Sequence, residues 1–346
     1  MMKQRESNFD LLRVVAGIAV VQSHVSGAFI ETAVWDYWDG LPMNHPLFSC
    51  VYTAIVRFSV PIFLMLTGAF LLERSGTADW KKFYANSWKK VFAPAALIFL
   101  FAVVYNLVFL LLVDHLPLTA ALTPLYEGAP FYHLWYIPVI AVIYLLMPFV
   151  MLAKNALGEQ LFFRASAGFL ILGMAALWCN PPVATHWNIG EGFCYLGYAL
   201  IGYTIRQNTH EKKYGLPLVA AGFLLQAAAG YLLYRALITG ADRALAEHRY
   251  IYSYAPLTVI GSILIFAGFC RLTIKKDYSF LSAHTYGIYL VHAFILDLLL
   301  RASRAAYGQR WLTHLDARLF VPLLAVLVWA VSFGVCTAVK KIRHRA

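Results

Sequence analysis

The sequence predicts an all-α, polytopic membrane protein with about ten transmembrane helices and both termini in the cytoplasm. Of its 346 residues, 61% are hydrophobic and only 13% are charged, whereas about a quarter of the residues in a soluble domain are charged. The mean hydropathy is +0.66. The apolar residues also form long stretches, and a helix needs roughly 20 of them to cross about 30 Å of hydrocarbon.

Ten apolar stretches are long enough, or nearly long enough, to be transmembrane helices. Prolines such as Pro61 and Pro322 lie inside several of them, and membrane helices tolerate proline where a neighbour or water satisfies the freed carbonyl. No internal repeat or long linker divides the chain, so residues 1–346 are expected to form one integral membrane domain. The predicted spans are 9–30, 47–73, 88–113, 133–153, 160–178, 190–206, 215–239, 251–272, 280–300 and 319–339.

The loops predict the orientation of these spans, because cytoplasmic loops are enriched in Lys and Arg. With the N-terminus inside, the cytoplasmic segments hold 19 of the 28 Lys and Arg residues and the outer loops hold six. Topology therefore explains the formal net charge of +11, and no nucleic-acid partner is expected. The first apolar stretch is longer than the core of a signal peptide, so we expect it to remain attached as the first span.

The five cysteines show no C-x-x-C spacing. Neither a metal site nor a disulfide framework is therefore predicted.

Apart from the basic residues counted with the cytoplasmic and outer segments, three arginines remain inside predicted spans: Arg13, Arg57 and Arg235. Ionisable groups at such depth are costly and are functional candidates. Arg235 lies about 30 Å along its helix, close enough to the outer end for its side chain to reach the headgroups. Arg57 lies about 15 Å into its span and needs an interior partner, which leaves both a functional role and a structural ion pair open.

Arg13 and His24 share the first span and are eleven residues apart. On a helix this spacing amounts to three turns plus about 20°, with a rise of about 16 Å. The two side chains therefore share one face. A lone histidine on an apolar helix is usually a packing residue, but a histidine aligned with an intramembrane arginine predicts a polar path between them.

Other polar side chains are candidates for the same cavity. His292 and Tyr289 lie one turn apart in the ninth span, where a buried Tyr–His hydrogen bond is the structural alternative. His133 and Trp135 lie at the outer entry of the fourth span, where an aromatic belt is the alternative. Glu191 begins the sixth span, where a helix N-terminus favours an acidic side chain in any case.

Four segments in matching spans carry a family resemblance. The first is DLLR (10–13), whose arginine begins the pattern Arg13-x10-His24. The others are RFSVPIFLMLTGAFLL (57–72), FYHLWYIPVIAVIYLLMP (131–148) and LSAHTYGIYLVHAFIL (281–296). Together they resemble the acyltransferase 3 family of integral membrane acyltransferases over nearly the whole chain. The FYHLW and SVPIF phrases are most similar to the enterobacterial common antigen O-acetyltransferase subgroup.

The resemblance implies a multi-pass enzyme of the bacterial inner membrane that transfers an acyl group from cytoplasmic acyl-CoA, usually acetyl-CoA. The implied acceptor is a hydroxyl of a cell-envelope polysaccharide or lipid-linked glycan, and no tightly bound cofactor or metal is implied. The implied partners are acetyl-CoA, the glycan or lipid-linked oligosaccharide and the lipid bilayer. The sugar, the hydroxyl and the length of the acyl chain stay open.

The resemblance also assigns roles to residues of this chain. His24 is expected to act either as general base or as a transient acyl carrier. Arg57 is expected to stabilise the oxyanion or to orient the thioester carbonyl, and Arg13 to contact donor phosphates. Many family members carry an Arg-x-x-Arg pair entering the third helix, where this chain has Lys89 and Lys90. These two lysines are expected to bind the phosphates of acyl-CoA. No hydrolase-like extracytoplasmic domain is expected in this chain.

A transporter or flippase for an anionic or lipid-linked sugar is the rival class, because it too would need polar groups inside a helical bundle. The sequence shows no inverted repeat and no pair of broken half-helices in corresponding positions. A non-catalytic scaffold would explain neither Arg57 nor the alignment of Arg13 with His24.

Overall fold

The structure, a computed structural model, describes residues 6–29, 44–73, 80–115, 117–119, 131–179, 189–209, 211–307 and 315–343. These residues form helices and the turns between them, and no strand occurs within the described ranges. Seven of the described helices are long and apolar enough to cross a membrane. The multi-pass helical architecture is therefore confirmed, whereas the count of ten spans and the orientation of the termini stay predictions.

The helices are labelled in chain order. The third predicted span also contains two π-helical turns, Trp88–Phe92 and Leu107–Val113, and a 3-10 turn, Tyr132–Trp135, precedes the longest helix. The α-helices are α1 (Ser7–Phe29), α2 (Asn44–Ile55), α3 (Ser59–Leu71), α4 (Trp80–Ser87), α5 (Ala93–Asn106), α6 (Tyr136–Cys179), α7 (Ile189–Gln207), α8 (Gly215–Ile238), α9 (Arg243–Tyr250), α10 (Pro256–Arg271), α11 (Ser279–Ser282), α12 (Thr285–Tyr307) and α13 (Ala317–Arg343).

The predicted boundaries differ from the observed ones in instructive places. The fourth and fifth predicted spans lie on α6, which is interrupted only at Gly158, where φ is 70° and ψ is 167°. The eighth span begins at Pro256 rather than at residue 251. The main helix of the ninth span begins at Thr285 rather than at residue 280, so His292 lies about 10 Å along that helix. Position 30 of the first predicted span lies outside the described residues.

The chain forms two compact units, Met1–Phe70 with Phe163–Ala346, and Leu71–Phe162. Several helix ends of the first unit meet on one side, which we call the basic end; its cationic side chains include Arg206, Lys212, Arg271 and Lys340. Lys212 Nζ, just before α8, donates to the carbonyl of Cys270 at the end of α10. Lys340 Nζ, near the end of α13, donates to the carbonyl of Ala283 just before α12. Helices α8 and α10 therefore run antiparallel to each other, as do α12 and α13.

Glycines let two helix pairs of the first unit approach very closely. Gly222 of α8 and Gly261 of α10 face each other, and a Cβ added to Gly222 would lie 2.6 Å from the Gly261 oxygen. The buried Gln226 Nε2 donates across the same pair to the carbonyl of Thr258 at 3.2 Å. A Cβ on Gly68 of α3 would overlap the carbonyl oxygen of Ala199 on α7. In lipid, where no hydrophobic effect joins helices, such small-residue contacts provide the packing.

Candidate active site

Helices α1 and α12 run in the same direction and bring two histidines together. An added Cβ on Gly17 would lie 3.2 Å from Thr285 Cγ2. One heptad further along each helix, the rings of His24 and His292 lie 5.1 Å apart, with their planes at 37°. The constant offset between the two helices keeps these contacts in register. The structure thus joins two residues that the sequence placed in different spans.

His292 is held in a defined orientation by its own helix. The side chain is fully buried, and Nδ1 donates to the carbonyls of Tyr289 at 2.8 Å and Ile288 at 3.1 Å. Because a carbonyl oxygen only accepts, these bonds assign the proton of the neutral ring to Nδ1 and leave Nε2 as the basic nitrogen. The Tyr289 ring centroid is 6.1 Å from that of His292. The predicted Tyr–His pair therefore includes a bond to the Tyr289 backbone.

Arg13 lies at the basic end of α1 and is paired with a carboxylate. Arg13 Nη1 is 3.2 Å from Asp10 Oδ1, and Asp10 is almost completely buried. The Arg13 guanidinium also lies 4.6 Å from the centre of the Phe70 ring. Arg13 and His24 occupy the same uninterrupted helix, so the predicted separation of about 16 Å along the axis holds.

A second guanidinium, that of Arg206, contacts the same Phe70 ring at 4.3 Å and the ring of Phe9 at 5.2 Å. Arg206 Nη1 donates to the carbonyl of Ala69 at 2.9 Å, and Nη2 pairs with Glu6. We call Arg13 and Arg206 the arginine pair. Loop counting had treated Arg206 only as an orientation signal.

Arg57 lies where the second predicted span is broken. Residues 56–58 form a turn between α2 and α3, in which the Arg57 amide donates to the Ala54 carbonyl. Pro61 explains the break, because proline lacks an N–H and its ring clashes with the carbonyl four residues earlier, that of Arg57. The second predicted span therefore consists of two helices that meet at Arg57, and together they are long and apolar enough to cross a membrane. Arg57 is half-buried, and its enclosed Nε has no hydrogen-bond partner among the described residues.

Arg57 lies within electrostatic reach of Glu247, Tyr252 and Tyr195. Tyr195 in turn hydrogen-bonds Glu191 at 3.4 Å. Tyr252 lies in the turn before α10, where burial and then the charge of Glu247 raise its pKa while Arg57 lowers it. Arg57 and Glu191, predicted separately, thus belong to one polar neighbourhood.

Helix α9 and the turn that follows it hold ring side chains that sequence reasoning missed. His248 and Tyr252 stack at 4.4 Å with a 19° angle, and Tyr252 and Tyr254 stack at 5.4 Å with a 27° angle. The Tyr254 hydroxyl and His248 Nδ1 are 2.6 Å apart. The signal for α9 was present, since Asp242 caps its first turn by accepting from the Leu245 amide.

The remaining candidates lie in the Leu71–Phe162 unit. His133 is buried between aromatic neighbours, with its ring centroid 5.6 Å from that of Phe131. Trp135 is 37% exposed, as an interfacial residue would be. Lys89 and Lys90 are exposed on the π-helical turn that begins at Trp88, where their charges are accessible to an anion.

Apolar membrane-length helices that enclose a histidine pair, with arginines at one end, define a polytopic membrane protein with a polar interior. The acyltransferase 3 family model, described as an acyltransferase domain, matches residues 6–339. The chain belongs to this family of membrane acyltransferases. No curated protein and no solved structure matches it.

Proposed function

We propose that the protein is a membrane O-acyltransferase of the bacterial inner membrane. It moves an acyl group, most simply acetyl, from cytoplasmic acyl-CoA to a hydroxyl of a cell-envelope polysaccharide or lipid-linked glycan. The close pair of His24 and His292 carries this proposal, because it places a second imidazole beside the histidine of the family signature. Within the family, the FYHLW and SVPIF phrases favour a relative of the enterobacterial common antigen O-acetyltransferases.

The donor end of the reaction is the arginine pair. Guanidinium groups form two parallel hydrogen bonds with phosphate oxygens, and acyl-CoA is a polyanion. With its nucleotide near Arg13, an extended pantetheine arm of acetyl-CoA spans the roughly 16 Å to His24. Lys89 and Lys90, in the Leu71–Phe162 unit, are separate candidates for binding phosphate. Acetyl-CoA acts here as a substrate, with no tightly bound cofactor.

Neutral His24 takes the proton of the sugar hydroxyl as that oxygen attacks the thioester carbonyl. The tetrahedral intermediate collapses with cleavage of the C–S bond, and the departing CoA sulfur receives the proton from His24. Arg57 stabilises the transient oxyanion. His292, fixed through Nδ1, holds the His24 ring in place. The alternative is an acyl-His24 intermediate, which divides the same transfer into two steps.

Substrate contacts are proposed for His292 and for four further residues. Glu191 lies within reach of a sugar hydroxyl through the polar neighbourhood of Arg57. Tyr289 lies beside His292 on α12. His133 and Trp135 lie in the 3-10 turn before α6, in the other unit, and an imidazole and an indole suit a sugar ring.

Release of free CoA by the purified protein, with acetyl-CoA and extracted envelope glycan, tests the proposal. Wild-type protein should release CoA and acylate the glycan, as mass spectrometry would detect. His24→Ala should still be stabilised thermally by acetyl-CoA but should lose transfer by roughly 10²-fold or more. Full transfer by His24→Ala would exclude the assigned base, and a wild-type protein that moves glycan without releasing CoA would be a transporter.

A further inference from the structure

We propose that His248, Tyr252 and Tyr254, with Glu191, Glu247 and Arg57, form the binding site for the acceptor sugar. We call these six residues the α9 site. The inference rests on the proposed acyl transfer to a sugar hydroxyl and adds the place where that sugar is held. All six residues belong to the first compact unit.

The α9 site offers an aromatic surface with one exposed side. Tyr252 is 36% exposed whereas Tyr254 is 4% exposed, and His248 is exposed. The stacked rings of His248 and Tyr252 therefore present a rigid surface to a ligand, and the buried Tyr254 ring packs against both. The apolar C–H face of a pyranose packs well on such a ring, and aromatic contacts contribute about 0.5–1.5 kcal/mol beyond the area that they bury.

The same site holds charged groups that suit hydroxyls. The negative charge of Glu247 raises the pKa of Tyr252, and the positive charge of Arg57 lowers it. Glu191 lies within electrostatic reach of His248 and Tyr254. Ionised carboxylates accept from sugar hydroxyls and guanidinium groups donate to them, and both bonds are charge-assisted. A small-molecule site usually combines aromatic rings with a small number of polar groups.

The location fits an acceptor that arrives from the side opposite the donor. Tyr252 and Tyr254 lie at the start of α10, and the end of α10 lies at the basic end with the arginine pair. His24 lies five residues before the end of α1, which is about 8 Å from the end opposite Arg13. Donor and acceptor thus approach the histidine pair from opposite ends.

An interfacial aromatic belt is the competing explanation for these rings. A belt requires aromatic side chains at headgroup depth, but it does not require two carboxylates or a guanidinium buried at Nε. The hydrogen bond between Tyr254 and His248 also fixes the rings relative to each other. Burial raises the pKa of Tyr254 above its ordinary value, so its hydroxyl stays protonated and available for this bond.

Binding and turnover should be measured separately on the purified full-length protein. The probes are the methyl glycosides of glucose, galactose, mannose and N-acetylglucosamine. Binding is followed by saturation-transfer difference NMR in detergent, and acceptor-dependent CoA release is followed with acetyl-CoA. The variants are Tyr252→Ala, Tyr252→Phe and Glu247→Gln, and Tyr307→Ala is the matched control because Tyr307 is an exposed tyrosine at the end of α12.

At least one glycoside should bind the wild type, and Tyr252→Ala should weaken its binding about tenfold. Tyr252→Phe should bind within about twofold of the wild type because it keeps the ring, and Glu247→Gln should weaken binding. Tyr307→Ala should match the wild type. Equal binding by Tyr252→Ala and wild type, or no glycoside binding by the wild type, would overturn the α9 site. Ring-dependent binding without CoA release would keep the site and contradict acyl transfer.

Discussion

Arg13 and Arg206 approach one aromatic ring, that of Phe70, at 4.6 and 4.3 Å. Two cations tolerate this proximity because each has its own carboxylate, Asp10 for Arg13 and Glu6 for Arg206. The arrangement ties the start of α1 to the ends of α3 and α7. It also makes the position of Arg13 depend on a residue from a distant part of the chain.

Arg206→Lys should raise the KM for acetyl-CoA about tenfold with a smaller change in kcat. Lysine keeps the charge but lacks the fork that reaches both the Ala69 carbonyl and Glu6. Arg271→Lys is the control, since Arg271 at the same end donates to the carbonyl of Ala267 in its own helix. Steady-state kinetics with varied donor give both constants. An unchanged donor KM in Arg206→Lys would remove the arginine pair from donor binding.

His292→Asn should lower kcat by roughly 10²-fold while the protein remains folded. The asparagine amide can still donate to a backbone carbonyl, but it removes the ring beside His24. His284→Asn is a close control, because His284 is also buried and donates from Nδ1 to the Phe280 carbonyl at 2.7 Å. Single-turnover CoA release compares them. Equal rates in both variants would make His292 a packing residue.

Gly68→Ala should destabilise the protein by about 1–3 kcal/mol. The new methyl would overlap the Ala199 carbonyl, which is backbone and has no rotamer to change. Gly334→Ala, in an exposed helical position with nothing within 4 Å, should stabilise by about 0.5–1 kcal/mol. Thermal unfolding in detergent gives the order. A Gly68→Ala protein as stable as wild type would mean that α3 and α7 do not cross so closely.

Cysteine labelling should establish which end faces the cytoplasm. In a background without the native cysteines, Arg249→Cys should react with a membrane-impermeant maleimide in intact cells, and Lys276→Cys should react only after the membrane is permeabilised. Both positions are exposed, so accessibility rather than burial decides the outcome. The basic end carries Lys276 and is predicted to be cytoplasmic. The reverse labelling pattern would invert the proposed donor and acceptor sides.

Hydropathy located the helices well because the length of an apolar stretch directly reflects the thickness of the bilayer. The Arg13–His24 face was predictable because it depends on one helix alone. The break at Arg57 was harder to foresee, although Pro61 stands four residues later, because a membrane proline can kink a helix without interrupting it.

Contacts between distant segments were not predictable from spacing. The pairing of His24 with His292 depends on the parallel offset of α1 and α12, and no local pattern encodes that offset. Arg206 was counted as a loop charge because it lies at the end of a span, yet tertiary packing places it over Phe70. Asp10 was within reach of prediction, since it stands three residues before Arg13 on the same helical face.

The close contact of α8 and α10 at Gly222 and Gly261 affects the order in which the protein can assemble. These two helices are joined by little more than α9, so their packing, including the Gln226 contact with Thr258, uses only contacts that are close along the chain. Such a hairpin can close as soon as both helices have been synthesised and inserted, without waiting for α12 or α13. Helix α9 connects the two helices of this hairpin, so we expect the rings of His248, Tyr252 and Tyr254 to be positioned before the histidine pair is complete.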